Sequence, residues 1–109
     1  MELKTECSSG YLFIRMKGEL DHHAAKMTLQ GIESAIDRFL PRHCALEMSG
    51  LSFMDSSGIA VILRAKKRVG TGGGDLILLD PSPQVWRVLT ASGVDRLVPV
   101  KIREGRIAK

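Results

Sequence analysis

The chain has 109 residues, a length that suits one domain of ordinary size. Apolar residues make up 44% and charged residues 26%, a globular balance that argues against a disordered, fibrous or membrane-spanning chain. The first residues carry alternating charges without the apolar segment of a signal peptide, and the longest apolar run covers only residues 59–63. We therefore expect a cytoplasmic protein with a single domain over residues 1–109. The net charge of +4 and the pI of about 9.4 call for an explanation.

The predicted elements alternate between strands and helices after a first pair of strands. Leu12, Ile14 and Met16 share one side of a period-two pattern, which indicates a strand with one buried face. Similar patterns predict strands over residues 3–7, 10–18, 44–48, 75–79 and 97–101, with residues 49–54 as a short connection. Apolar residues at helical spacing predict helices over residues 25–39, 59–69 and 83–91.

The helix ends follow from the residues at their boundaries. Asp21 precedes the first helix as an N-cap, and Pro41 ends that helix. Ser82 caps the third helix, which is expected to turn Val85, Trp86 and Leu89 inward. The order predicts an α/β fold: a mixed, largely parallel sheet of four to five strands with about three to four helices packed on it.

The cysteines and histidines do not form a recognisable metal or disulfide pattern. Cys7 and Cys44 are far apart in sequence, and we expect two buried free thiols. His22, His23 and His43 lack the usual ligand spacings, so no metal or other cofactor is expected.

Two further patterns resemble a phosphate-binding loop and a catalytic base. In each case a purely structural explanation fits the sequence better. Residues 70–74 are rich in glycine, but they lack the lysine of a phosphate-binding loop and follow a helix instead of a strand. A flexible turn is the favoured interpretation. The pair His22-His23 beside Asp21 could include a general base, although exposed histidines at a helix start explain it better.

The segment Asp55-Ser56-Ser57-Gly58 is more informative. By local chemistry alone, Asp55 or Ser56 caps the second helix. A helix N-terminus also favours anions, so a phosphate on Ser56 or Ser57 would be tolerated there. It would add about −1.5 to −2 charges at a surface near Asp55 and Asp21, where a partner would sense the change.

The basic residues are concentrated in the second half of the chain. Residues 55–109 hold 10 Lys and Arg against 5 Asp and Glu, a net charge of +5. This asymmetry could mark a nucleic-acid surface, but no aromatic stacking platform or recognition signature accompanies it. A solvated helix end and a basic tail are the favoured explanation, without nucleic-acid or membrane binding.

Residues 18–23 (Gly-Glu-Leu-Asp-His-His) and 51–58 (Leu-Ser-Phe-Met-Asp-Ser-Ser-Gly) resemble the signature segments of the STAS-domain anti-sigma factor antagonists of spore-forming bacteria. Residues 59–63 and 82–93 fit the same pattern, and the resemblance covers about residues 10–101. The paired histidines indicate the sporulation subgroup. The family usually ends in a longer C-terminal helix, whereas residues 102–109 allow at most two turns.

The resemblance implies a non-enzymatic regulatory protein with a STAS-like fold. Its unphosphorylated form would bind an anti-sigma factor that is also a serine kinase using ATP, and this binding would release the sporulation factor sigma-F. The kinase would phosphorylate Ser56, with Ser57 as second choice, and a PP2C-type serine phosphatase would reset the protein. The docking surface would include Asp21, Asp55, Ser56, Ser57 and Gly58. The alternative is a STAS module that senses a small anionic or nucleotide ligand, or that serves a stress-response scaffold.

Overall fold

The computed structural model describes residues 1–103 and has the alternating order that the sequence predicts. Its five strands are β1 (Glu2–Ser8), β2 (Tyr11–Leu20), β3 (His43–Met54), β4 (Asp75–Leu79) and β5 (Val100–Lys101). Its three α-helices are α1 (His22–Phe39), α2 (Ser56–Thr71) and α3 (Pro83–Ser92), and a 3₁₀ turn follows at Val94–Arg96. The predicted α/β class is confirmed.

The strands form one mixed sheet in the order β1-β2-β3-β4-β5. β1 and β2 pair antiparallel through a two-residue turn, in which Ser9 and Gly10 both have positive φ (52° and 82°), as in a type I′ hairpin. The three remaining pairings are parallel, and the α-helices supply the crossovers between these strands. The prediction of a largely parallel sheet is therefore confirmed.

The core lies between the sheet and the helices. Leu12, Ile14 and Met16 of β2 are at most 1% exposed, as their alternation predicts. Ile32 of α1 and Ile62 of α2 are fully buried in the same cluster. Burying side chains of this size stabilises the fold by about 1.5–3 kcal/mol each, relative to leaving them in water.

The prediction of a connection over residues 49–54 is wrong, because these residues extend β3. They pair with β2 alone, since β4 ends at Leu79, opposite Glu47. Gly50 permits this close approach: a Cβ there would lie 2.8 Å from the Met16 carbonyl oxygen. Polar and glycine residues on a one-sided strand do not give the alternating signal that identifies a strand.

The C-terminal part differs from the prediction in two places. α3 buries Val85 and Leu89 but leaves Trp86 42% exposed, so the inward placement of Trp86 is wrong. The last strand begins at Val100 and not at residue 97. A 3₁₀ turn comes first, and two backbone N–H groups donate to the Val94 carbonyl at 2.9 Å.

Both cysteines are free, but only one is buried as predicted. Cys44 is 1% exposed, and burial, together with the charge of Asp75, raises the pKa of its thiol to about 12. Cys7 lies exposed on β1, so the prediction of a second buried thiol is wrong.

A cluster of charged groups ties the end of the described chain to the sheet. The Arg103 Nε donates to Asp80 Oδ2 at 2.6 Å, and its Nη2 donates to Glu47 Oε2 at 2.6 Å. The Ser49 hydroxyl also donates to Glu47, at 2.7 Å. The side chains of Asp80 and Glu47 are only 1% and 5% exposed, so the shared guanidinium offsets the cost of burying two carboxylates. Residues 104–109, where the sequence allows a short C-terminal helix, lie outside the described part.

Candidate functional site

The predicted site residues meet at the carboxyl edge of the parallel strands. β2 and β3 end side by side, with Leu20 paired to Met54. Asp21 directly follows β2, and Asp55 directly follows β3. The Asp55 N–H donates to the Leu20 carbonyl at 3.4 Å. Two carboxylates from distant parts of the sequence therefore stand at adjacent strand ends.

Each of these carboxylates caps the helix that follows it. Asp21 Oδ1 accepts a hydrogen bond from the Ala24 N–H at 3.0 Å, at the start of α1. Asp55 Oδ1 accepts one from the Ser57 N–H at 2.9 Å, at the start of α2. The predicted cap at Asp21 is confirmed, and of the two candidates for the second helix, Asp55 and Ser56, the cap is Asp55. A cap of this type is worth about 1 kcal/mol, and it fixes the carboxylate beside the positive end of the helix dipole.

The three residues after Asp55 differ in accessibility. Ser56 opens α2 and is exposed, and in residues 1–103 its hydroxyl makes no hydrogen bond. Ser57 is half-buried. Gly58 is buried, and a Cβ there would meet Met54 Sδ at 2.7 Å and Leu20 Cδ2 at 3.1 Å. Gly58 thus lets the first turn of α2 approach the strand ends closely, and Ser56 has the accessible hydroxyl.

Gln84 of α3 holds the residue before the Asp-Ser-Ser-Gly segment. Its Oε1 accepts from the Met54 N–H at 2.9 Å, and its Nε2 donates to the Met54 carbonyl at 3.0 Å. At this level β3 has no neighbouring strand on the β4 side, so the side-chain amide takes the place of a strand. No local sequence signal indicates this role of Gln84, because a glutamine two residues after a helix cap is typical of an ordinary helix surface.

A shallow groove of about 440 Å³ lies between the start of α2 and α3. Ser56 and Ile59 line one side, and Gln84, Arg87 and Val88 line the other. Arg87 is exposed, and no ion pair of its side chain is found within residues 1–103. A cation therefore shares a groove with the Ser56 hydroxyl, a placement that no local sequence signal indicated.

The positions of His22 and His23 fit the interpretation of exposed histidines at a helix start. His22 and His23 are exposed in the first turn of α1, with ring centroids 5.9 Å apart. His43 lies at the opposite end of the sheet, where its Nδ1 is 3.0 Å from Asp75 Oδ1 and its ring is 4.7 Å from that of Tyr11. Across the described range, no three His, Cys, Asp or Glu residues are grouped so that they could hold a metal ion.

The basic end of α2 is engaged with α1. Arg68 Nη2 donates to Asp37 Oδ2 at 2.6 Å and its Nη1 lies 3.5 Å from Glu33 Oε2. The hydrogen bond from Arg68 lowers the pKa of the Asp37 carboxyl. These pairs connect two helices at the surface, as expected for a solvated helix end. Within residues 1–103, no helix is both long and apolar enough to span a membrane.

Comparison with known proteins identifies the family. The STAS domain model matches residues 2–106. An anti-sigma F factor antagonist from Paenibacillus polymyxa is 37% identical over 100 residues, which is 92% of this chain and 86% of that protein. One from Lysinibacillus sphaericus is 40% identical over 81 residues, covering 74% and 69%. The chain therefore belongs to the STAS-domain family, among its anti-sigma factor antagonists.

Solved structures support the same assignment. The unphosphorylated anti-sigma factor antagonist SpoIIAA superposes with a TM-score of 0.80 at 31% identity, over 95% of this chain and 90% of that one. The Bacillus cell fate determinant SpoIIAA in its phosphorylated form gives 0.71 at 30% identity, over 95% and 93%. The fold is thus shared with a protein whose structure is known in both phosphorylation states.

Proposed function

We propose that this protein is an anti-sigma factor antagonist that phosphorylation of Ser56 switches off. The observation that carries the proposal is the Ser56 hydroxyl, which is exposed at the first residue of α2 without a hydrogen-bond partner among residues 1–103. The unphosphorylated protein binds an anti-sigma factor with serine kinase activity and so frees a sporulation sigma factor, sigma-F. The protein itself is not an enzyme, acts in the cytoplasm and does not bind nucleic acid.

Accessibility favours Ser56 over Ser57 as the phosphate acceptor. A kinase has to bring the hydroxyl in line with the terminal phosphate of ATP, which requires the acceptor to enter a partner's active site. Ser56 is exposed, whereas Ser57 is half-buried and its N–H is held by Asp55. Ser57 is therefore the less accessible acceptor of the two.

The neighbourhood of Ser56 explains how a phosphate can end binding without unfolding the domain. Asp21 and Asp55 already place two negative charges at this edge, and a phosphate adds about −1.5 to −2 more. The dipole of α2 and the Arg87 side chain across the groove offset part of this charge within the protein. A docked partner surface would face the remainder, so complex formation is opposed while the fold is kept.

The proposed partners follow from this cycle. The kinase is the anti-sigma factor itself, bound to ATP or ADP and to its sigma factor. A serine phosphatase of the PP2C type removes the phosphate. The docking surface includes Asp21, Asp55, Ser56 and Ser57, while Gly58 contributes by letting α2 approach the strand ends.

Phosphate mapping tests the proposal directly. After incubation with the anti-sigma factor kinase and ATP, mass spectrometry should find one phosphate on Ser56 in the wild-type chain and in Ser57→Ala. Ser56→Ala should stay unmodified and keep its affinity for the anti-sigma factor. Ser56→Asp should fold normally and bind much more weakly in a titration. Phosphate on Ser57 alone, or wild-type affinity of Ser56→Asp, would contradict the assignment.

A further inference from the structure

The outer strand of the sheet has an unpaired backbone edge. β1 pairs with β2 along all seven residues and has no other neighbour in the described chain. Every residue of β1 except Leu3 is exposed. An exposed edge of this length presents free N–H and C=O groups that can pair with another strand.

The hairpin determines which backbone groups point outwards. In the type I′ turn, the Ser8 carbonyl accepts from the Tyr11 N–H, so these two residues form a hydrogen-bonded pair. Pairs alternate along an antiparallel ladder between hydrogen-bonded and non-hydrogen-bonded. The backbone groups of Leu3, Thr5 and Cys7 therefore point away from β2 and are available to a further strand.

We propose that two copies of this chain associate through β1, antiparallel about a two-fold axis at Thr5. Thr5 then pairs with Thr5 of the second copy, and Leu3 pairs with Cys7 of the second copy. Between them, Lys4 stands opposite Glu6 of the second copy, and Glu6 opposite Lys4. These are non-hydrogen-bonded pairs, in which side chains come closest, so two ion pairs form on one face.

The charge pattern and the length of β1 together select this register. Residues with outward backbone groups (Leu3, Thr5 and Cys7) must pair with one another across the two copies. The pairing can therefore slide only by two residues at a time, and each such step moves the two-fold axis by one residue. An axis at Leu3 also places Lys4 opposite Glu2, but it pairs only residues 2–4 of the strand, whereas the axis at Thr5 pairs all of Glu2–Ser8. An axis at Lys4 places Lys4 opposite Lys4 and Glu2 opposite Glu6, and an axis at Glu6 places two glutamates together. Within one copy, Lys4 faces Arg15 on β2, a like charge, so the second copy supplies the acidic neighbour that β2 lacks.

Helix α1 is placed so that it can follow the strands into this contact. A Cβ on Gly31 would lie 2.6 Å from Leu3 Cδ1, so the middle of α1 packs on β1. In the paired sheets, the line midway between β1 and β2 of one copy lies two strand spacings, about 9.6 Å, from the same line in the second copy. This separation is within the range of about 8–10 Å for axis-to-axis distances between packed helices, so the two α1 helices can pack against each other. Met27, four residues before Gly31 on the same helix face, is 77% exposed and would be covered there.

The association leaves the Ser56 surface free. In a two-fold pairing through β1, the β2 strands of the two copies run in opposite directions. The carboxyl edges of the two sheets therefore lie at opposite ends of a continuous ten-stranded sheet. Each copy can bind its own partner, so the dimer is independent of the phosphorylation switch.

A charge exchange tests the register. Sedimentation equilibrium at up to about 1 mM protein should show a concentration-dependent dimer. Lys4→Glu or Glu6→Lys should each weaken it about tenfold, because each creates two like-charge pairs. The double variant restores opposite charges and should recover the wild-type constant. A monomer throughout this range would overturn the proposal and would leave the β1 edge available to a strand of another protein. A dimer whose dissociation constant none of these changes affects would overturn it as well.

Thiol cross-linking provides a second measurement. Paired Thr5 residues have Cα atoms about 5.5 Å apart; as a hydrogen-bonded pair their Cβ atoms are too far apart for an unstrained disulfide, but they are within reach of a short bis-thiol reagent. Thr5→Cys in a Cys7→Ser background should therefore give a cross-linked dimer with a reagent that spans about 8 Å or less. The wild-type chain is the matched control, because its Cys7 lies about 14 Å from Cys7 of the second copy and should not cross-link. Equal cross-linking of the two chains, or none in Thr5→Cys, would refute the two-fold at Thr5.

Discussion

Replacing Gln84 with alanine should loosen the strand end that positions Ser56. The variant loses two hydrogen bonds, of 2.9 and 3.0 Å, and leaves the Met54 N–H and carbonyl without their partners. Each bond contributes about 0.5–1.5 kcal/mol net, and both groups are only partly accessible to water. We therefore expect the free energy of unfolding in urea to fall by about 2 kcal/mol. Phosphorylation of Ser56 should also slow, because its backbone follows Met54 by two residues.

Two comparison variants sharpen this experiment. Gln30→Ala makes the same substitution at an exposed position of α1 and should change the free energy of unfolding by less than about 0.5 kcal/mol. Gln84→Glu keeps the acceptor but cannot donate to the Met54 carbonyl at neutral pH. When its carboxyl is protonated it can donate again, so the deficit relative to wild type should shrink as the pH falls. Equal losses for Gln84→Ala and Gln30→Ala would refute the reasoning.

Two other features give direct predictions. Arg103→Ala removes the cation shared by two buried carboxylates and should lower the free energy of unfolding by about 2 kcal/mol, less than a fully buried pair because the guanidinium is 41% exposed. Lys101→Ala should have little effect in the same urea titration. The exposed Cys7 should react at once with a thiol reagent at pH 8, whereas the buried Cys44 should react only as fast as the fold opens to expose it. A rapid reaction of the remaining thiol in Cys7→Ser would contradict this. The pKa of Cys44 is about 12 against an ordinary 9.0, so the unfolded chain loses this proton first. Stability should therefore fall by up to about 1.4 kcal/mol per pH unit as the pH rises above 9, as urea midpoints would show.

The parts of the site that depend on local chemistry were predictable from the sequence. Asp21 and Asp55 cap helices because a short acceptor side chain reaches N–H groups two or three residues ahead, and that relation is visible in any sequence window. The strand pattern of β2 and the Ser82 cap of α3 are local in the same sense. The predicted order of elements then brings the ends of β2 and β3 together.

The features that the sequence did not reveal depend on contacts between distant residues. Gln84 bonds to Met54, which is 30 residues away in sequence. Its amide can do so because β4 ends opposite Glu47 and leaves the backbone of Met54 without a neighbouring strand on that side. Trp86 stays at the surface because Val85 and Leu89, one turn apart, already fill the core side of a short helix. Arg87 resembles any exposed helix cation until the groove places it near Ser56.

The strand order β1-β2-β3-β4-β5 has a consequence for ligand binding. Each parallel strand is added on the same side of the one before it. Right-handed crossovers, the general rule for such connections, then place α1, α2 and α3 on one face of the sheet. Doubly wound folds open a ligand crevice where the strand order reverses, and the described sheet has no reversal. As far as residues 1–103 are concerned, the carboxyl edge therefore offers a partner an outer surface and not a cleft between two helix layers. This geometry favours recognition of another protein at Ser56 over sensing of a nucleotide.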